Sequence, residues 1–266
     1  MIRSILLATD GFGCSAAAQQ SAIKLAGRSN AKIAAFGIVD TPWRITTQGK
    51  VEQFENVSGR AGDALRHVQS AAAADGIAVT TAEVTGDPID FLTVEATRHD
   101  LAVIGRSTGF RPGLHPGVLD QAINALVRDG SRAVLAVREK RALADRMLVA
   151  FDGSVPASRS IHMAALLGLS QSGQVQVLSI NADDRAAEEL AERAATLLRS
   201  HGGNVTAFGI GSETDPAEII LSHAKTFEAD MVVMGAYGRS GLRDMIFGSC
   251  TRRVMEECAT ALFLQH

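Results

Sequence analysis

Glycines recur at short intervals in residues 234–249, whose sequence is MGAYGRSGLRDMIFGS. Gly235, Gly238 and Gly248 let the backbone approach a phosphate group closely and take positive φ angles. Ser249 follows at the predicted start of a helix, where its hydroxyl and the N–H groups of the first turn would face an anion. Nearby positive charge comes from Arg239, Arg243 and Arg252. The segment therefore predicts a site for a polyphosphate.

Two common phosphate-binding motifs do not fit this segment. A Walker A loop places a lysine after its last glycine, whereas Ser249 follows Gly248. The dinucleotide fingerprint G-x-G-x-x-G belongs directly after a first strand, where this chain reads Asp152-Gly153-Ser154. The spacing alone is also compatible with glycines that only build tight turns.

The chain contains the same series of segments twice. SILLATDGFG at 4–13 resembles RMLVAFDGS at 146–154, DLAVIGRS at 100–107 resembles DMVVMGAY at 230–237, and AVLAV at 133–137 resembles ALFL at 261–264. Three matched blocks in the same order indicate two homologous halves, which we bound as 1–144 and 145–266. A chain of 266 residues is long enough for two domains of this size.

Within each half, short apolar runs alternate with longer segments of helical period, which is typical of an α/β domain with a parallel sheet. Asp87-Pro88 and Asp215-Pro216 each predict a helix start, with aspartate at the N-cap and proline in the first turn. The predicted strands are 5–9, 32–39, 78–84, 101–105 and 134–137, then 147–151, 175–180, 204–209, 231–235 and 261–264. The predicted helices are 15–29, 51–74, 89–98 and 120–128, then 155–169, 184–201, 216–228 and 249–257.

Composition excludes several classes of protein. Apolar residues make up 46% and the net charge is −3, so neither disorder nor a nucleic-acid or anionic-membrane partner is indicated. No apolar stretch is long enough for a membrane span or a signal peptide. Three cysteines, Cys14, Cys250 and Cys258, fit neither a disulfide framework nor a paired zinc site. A cytoplasmic location is therefore expected.

The spacing Gly235-x-x-Gly238, nine residues, Gly248-Ser249 resembles the nucleotide motif G-x2-G-x9-G-[ST] of the universal stress proteins. The segment AFDGS at 150–154 resembles the end of that family's first strand, and the likeness covers both halves. The resemblance implies an α/β fold of two tandem doubly wound domains, each with a five-stranded parallel sheet of the adenine nucleotide alpha hydrolase-like type. It also implies an intramolecular pseudo-dimer formed through strands 133–137 and 261–264; further homodimerisation is left open.

The same resemblance implies that the second half binds ATP, with Mg²⁺ held mainly by the phosphates. Asp152 would lie beside the adenosine and Ile180 against the adenine. Met234 and Gly235 would lie near the ribose, and the later glycines would surround the phosphates. The full set of implied ATP-binding residues is Ala150, Phe151, Asp152, Ile180, Met234, Gly235, Gly238, Arg239, Gly248, Ser249 and Cys250. Neither a catalytic residue nor a dedicated metal ligand is predicted.

The first half departs from the motif. No glycine follows three residues after Gly105, and Asp120-Gln121 stand where Gly248-Ser249 stand in the second half. A carboxylate at that position would repel phosphate. Another alignment uses Gly117-Val118 and still loses the hydroxyl. We therefore predict an intact nucleotide motif in 145–266 and a degenerate one in 1–144, which leaves open a different ligand there.

Three functions remain open at this point. The first is an ATP-binding protein of stress response or signalling with at most slow hydrolysis, because no catalytic base or arginine finger is evident. The second is an adenine-nucleotide-using enzyme of related fold, and the third is a scaffold that binds no nucleotide. Cys250 adds a redox hypothesis, since the N-terminus of a helix can lower the pKa of a thiol.

Overall fold

The computed structural model describes residues 1–11, 14–40, 54–106, 121–130, 132–138, 142–236 and 248–266. The chain divides into an N-terminal unit, Ile2–Arg141, and a C-terminal unit, Ala142–His266. Both units are α/β with parallel strands, which confirms the predicted fold class.

Strands and helices alternate along the N-terminal unit. The parallel strands stand in the order β3-β2-β1-β4-β5, so the chain winds from β1 first to one side and then to the other. This is the doubly wound arrangement. The elements are β1 (Ser4–Thr9), α1 (Ser15–Ser29), β2 (Lys32–Asp40), α2 (Phe54–Ala74), β3 (Val79–Gly86), α3 (Pro88–Ala96), β4 (Leu101–Gly105), α4 (Gln121–Arg128) and β5 (Ala133–Val137).

The C-terminal unit repeats this design. Its parallel strands stand in the equivalent order β8-β7-β6-β9-β10, with β6 in the middle. The elements are β6 (Arg146–Ala150), α5 (Val155–Leu166), β7 (Gln174–Asn181), α6 (Asp184–Ser200), β8 (Asn204–Gly211), α7 (Pro216–Thr226), β9 (Met231–Gly235), α8 (Ser249–Glu257) and β10 (Ala261–Gln265).

The core of each unit is formed by its buried, mostly apolar strands. Every residue of β4, β5 and β10 is buried, because strands with apolar side chains on both faces are covered by helices on both sides. The outer strand β3 contains threonines and is mostly half-buried or exposed. Among the described helices, none is long and apolar enough to cross a membrane.

The two aspartate–proline pairs start helices as predicted. Asp87 Oδ1 accepts a hydrogen bond from the Ile89 N–H at 2.8 Å, and Asp215 Oδ1 accepts one from the Ala217 N–H at 3.0 Å. Each carboxylate therefore satisfies an N–H group that the first turn of a helix leaves without an intrahelical partner.

The predicted helix 155–169 is too long. The helix α5 ends at Leu166, and Gly168 takes a φ of +78°, which ordinary residues rarely adopt. The Leu169 N–H then donates to the Ala164 carbonyl at 3.0 Å and closes the end of the helix. The apolar pattern continues past the glycine, so hydrophobic period alone placed the boundary too late.

Candidate functional site

The end of β6 is the point where the order of strands in the C-terminal sheet switches from one side of β6 to the other. In the strand register, Ala150 pairs with Met234 of β9 on one side and with Leu178 of β7 on the other. Phe151 continues this arrangement by donating its N–H to the Leu178 carbonyl at 2.9 Å. Ile180 lies two residues further along β7. Doubly wound sheets bind their ligands at the carboxyl ends of strands at such a point.

Asp152 forms a tight turn directly after β6. Its Oδ1 accepts a hydrogen bond from the Ser154 N–H at 2.9 Å, while Gly153 between them takes a φ of +76°. Ser154 caps α5 through its hydroxyl, which accepts from the Ala157 N–H at 3.3 Å. Asp152 remains exposed to solvent at the carboxyl edge of the sheet, where its carboxylate is accessible to a ligand.

Gly235 lies against the backbone of α5. A Cβ atom on Gly235 would stand 2.4 Å from the Ala157 nitrogen and 2.7 Å from the Pro156 carbonyl carbon, which no real side chain tolerates. The glycine that ends β9 is therefore required by the packing of the fold, whatever it does toward a ligand.

Two buried hydroxyl groups hold the end of β9, and the sequence analysis missed both. The Ser160 hydroxyl on α5 lies 2.9 Å from the Met234 carbonyl, and the Thr251 hydroxyl on α8 donates to the Gly235 carbonyl at 3.3 Å. Both residues are at most 5% exposed. The sequence signal that could have identified them is a polar residue on a helix face that is otherwise apolar. The Thr251 bond also fixes α8 beside β9.

The first turn of α8 presents backbone N–H groups. Gly248, not the expected Ser249, is at the N-cap, and it makes no side-chain cap hydrogen bond. Among the described residues, no heavy atom lies within 4 Å of the position that a Cβ on Gly248 would take. Ser249 is exposed and Cys250 is half-buried. As far as the described residues show, the helix starts without a side-chain cap and with room in front of its first N–H groups, which is an arrangement that suits an anion.

The thiol of Cys250 is not activated. Burial, and after it the negative charges of Asp215 and Asp152, raise the pKa of Cys250 to about 11. This direction is opposite to the lowering that the redox hypothesis requires, because desolvation and two carboxylates outweigh the effect of Arg253. The structure gives no support to a redox role for this residue.

The middle of the glycine-rich segment, residues 237–247, lies outside the described residues, and with it the predicted site residues Gly238 and Arg239. The other predicted residues come from three strand ends and one helix start of the C-terminal unit. Within the described part of the chain, no three His, Cys, Asp or Glu side chains are grouped to hold a metal ion.

The same edge of the N-terminal unit is built differently. There the side chains of Thr9, Ser15 and Gln19 are buried and hydrogen-bonded to one another, with the Gln19 Nε2 atom 3.1 Å from each of the two hydroxyl oxygens. Aligning Asp10 with Asp152 shows that apolar residues replace all three in the C-terminal unit. They are Phe151, Ala157 and Ile161.

Both halves of the chain match one family model. The model, described as the universal stress protein family, matches residues 1–138 and again residues 144–263. The chain belongs to the universal stress protein family. The two matches confirm the resemblance that the glycine spacing indicates, and they give a tandem arrangement of two universal stress protein domains.

Individual proteins and solved structures are similar to this chain. The crystal structure of a universal stress protein from Archaeoglobus fulgidus is 20% identical, covers 98% of this chain and 97% of that chain, and has a TM-score of 0.74. The universal stress protein YxiE of Bacillus subtilis is 25% identical over 42% of this chain and 92% of its own length. A universal stress protein solved in complex with cAMP is 21% identical over 52% of this chain and 97% of that chain, with a TM-score of 0.38.

Proposed function

We propose that this universal stress protein binds ATP in its C-terminal half, residues 145–266, and acts in stress response or signalling. The observation that carries the proposal is the placement of the two ends of the glycine motif. Gly235 ends β9, and Gly248-Ser249 begin α8, with the Thr251 hydroxyl joining the two elements. The motif therefore runs from the end of a strand, beside the point where the strand order switches, to a helix N-terminus without a side-chain cap hydrogen bond.

The described residues fit an adenine nucleotide. The N–H groups of Ser249 and Cys250, which have no side-chain cap among the described residues, suit phosphate oxygens. Asp152 would hydrogen-bond the adenosine, and the half-buried Ile180 would contact the adenine. Gly238 and Arg239 complete the proposed phosphate loop. Magnesium would be held mainly by the phosphates, as is usual for this ion.

The N-terminal half, residues 1–144, is proposed to lack this site. Its helix α4 begins with Gln121 where α8 begins with Ser249, so the hydroxyl of the motif is lost. We further propose that the halves form a pseudo-dimer, that the protein is cytoplasmic, and that nucleotide occupancy biases a surface for a partner. Any hydrolysis would be slow, since a catalytic base is not part of the proposed site.

Equilibrium binding of ATP, ADP, AMP and cAMP to the wild-type protein and to Gly238→Val tests the proposal. We expect wild type to bind ATP and Gly238→Val to lose most of that affinity, because a branched side chain prevents the backbone from approaching phosphate. Mass spectrometry of the denatured protein would identify any nucleotide retained through purification. Absence of ATP binding by wild type would leave a scaffold, and fast single-turnover hydrolysis would indicate an enzyme.

A further inference from the structure

An ion pair joins the starts of the last two helices of the C-terminal unit. The Arg253 guanidinium on α8 lies 2.6 Å from Asp215 Oδ2 through one terminal nitrogen, and its Nε lies 2.8 Å from Glu257 Oε1. The N–H of Ala217 and the Arg253 guanidinium lower the pKa of Asp215, so this carboxyl group is negatively charged at neutral pH. The side chains of Arg253 and Asp215 are 38% and 46% exposed, so their interaction is accessible to salt.

This ion pair lies next to the proposed phosphate site. Ser249 and Arg253 are four residues apart on α8 and therefore share one face of the helix. Asp215 forms its ion pair with Arg253 on that same face. Its negative charge also acts on the thiol of Cys250 in the first turn of α8. A full negative charge thus stands close to the N–H groups that would hold a polyphosphate.

We infer that Arg253 acts on the nucleotide indirectly: by neutralising Asp215 beside the first turn of α8, it sets how tightly the C-terminal unit holds phosphate charge. The inference rests on the proposed function. Asp215 is needed at its position because it caps α7, and an unneutralised carboxylate there would repel a nucleotide with several negative charges. Arg253 removes this repulsion while leaving the cap in place.

The other half of the chain supports this division of roles. Asp87 caps α3 as Asp215 caps α7, so the aspartate belongs to the repeated design. Aligning α4 with α8 from their first residues places Ala125 where Arg253 stands. Capping therefore requires no arginine at that position. At this aligned position, the arginine stands in the half whose nucleotide motif is intact.

The test is a double-mutant cycle on ATP affinity, measured by calorimetry at low salt. Arg253→Met, which keeps the aliphatic stem, should weaken ATP binding by about three- to tenfold, the size of one exposed charge effect. Asp215→Asn, which keeps a capping side chain, should strengthen binding. The double variant should bind ATP as tightly as Asp215→Asn alone, because the arginine matters only while the aspartate is charged. Adenosine, which has no phosphate, should bind all four proteins equally.

Asp87→Asn is the matched control, since it makes the same change at the equivalent cap of the N-terminal unit, and it should leave ATP affinity unchanged. Thermal unfolding of each variant identifies any loss of fold. If Arg253→Met does not fold, Asp215→Asn alone still tests whether removing the negative charge raises the ATP affinity. Equal weakening of ATP and adenosine, or additive effects in the double variant, would overturn the inference and leave the proposed function intact. A wild-type protein without ATP affinity would overturn both.

Discussion

Gly235 and Ala157 are so close that a Cβ atom on the glycine would stand 2.4 Å from the alanine backbone nitrogen. This contact joins the end of β9 to the first turn of α5, at the edge where the nucleotide is proposed to bind. The described ends of the glycine motif therefore have different physical requirements. Gly235 is needed for backbone packing, whereas no described residue crowds the position that a side chain on Gly248 would take.

Gly235→Ala should destabilise the protein by about 1–3 kcal/mol or more, because the neighbouring atoms belong to backbone and cannot rotate away. Urea unfolding followed by circular dichroism measures the loss. Gly86→Ala is a suitable control, since Gly86 also ends a strand and no heavy atom of the described residues lies within 4 Å of its Cβ position. The control should change the free energy of unfolding by less than about 0.5 kcal/mol. Equal stability of the two variants would contradict the packing role of Gly235.

Gly248→Ser should separate stability from binding. The φ of −53° at Gly248 is accessible to serine, whose hydroxyl can accept from an N–H group in the first turn of α8. The free energy of unfolding should therefore stay within a few tenths of a kcal/mol of wild type or rise. ATP affinity should fall, because the new hydroxyl competes with phosphate for the same N–H groups. Calorimetric titration measures the ATP affinity, and urea unfolding measures the free energy of unfolding. Unchanged ATP affinity would argue against phosphate at this helix end.

Much of the fold could be predicted from sequence because the repeated design is marked by local signals. The structure gives β4, β9, α1 and α8 the bounds that the pattern predicts. Aspartate precedes and glycine ends both strands, and Gly248 precedes α8; the effect of these residues on backbone conformation does not depend on distant contacts. The predicted end of α5 was wrong because an apolar run in the sequence continues across Gly168.

The interactions inside the candidate site could not be predicted in this way. The contacts from Ser160 to Met234 and from Thr251 to Gly235 join residues far apart in the chain. The pKa of Cys250 is raised first by burial and then by two carboxylates from other segments, and its local position at a helix start reveals neither. A sequence motif specifies which residues approach a ligand, whereas the electrostatics depend on the neighbours that folding brings together.

The thiol of Cys250 should react slowly with iodoacetamide. Its pKa of about 11 lies above that of an ordinary cysteine, so the reactive thiolate is scarce at pH 8 and the rate should rise until about pH 11. The raised pKa also means that the thiol contributes stability at lower pH that is lost as the pH rises through about 11. Peptide-resolved mass spectrometry gives the rate at each pH. Asp152→Asn should speed the reaction by lowering the pKa; a thiol that reacts fully at pH 7 would contradict the assignment.

The buried polar cluster of the N-terminal unit should behave as one unit. Gln19→Ile, which introduces the residue found at the equivalent position of the other half, removes the donor shared by Thr9 and Ser15 and should cost about 1–3 kcal/mol. Replacing all three side chains, as Thr9→Val, Ser15→Ala and Gln19→Ile, should cost less than the single change, because no hydroxyl is then left without its partner. Urea unfolding of the single and triple variants compares these costs. A larger loss for the triple variant would show that the three side chains act independently, and that apolar packing at this edge is specific to the C-terminal unit.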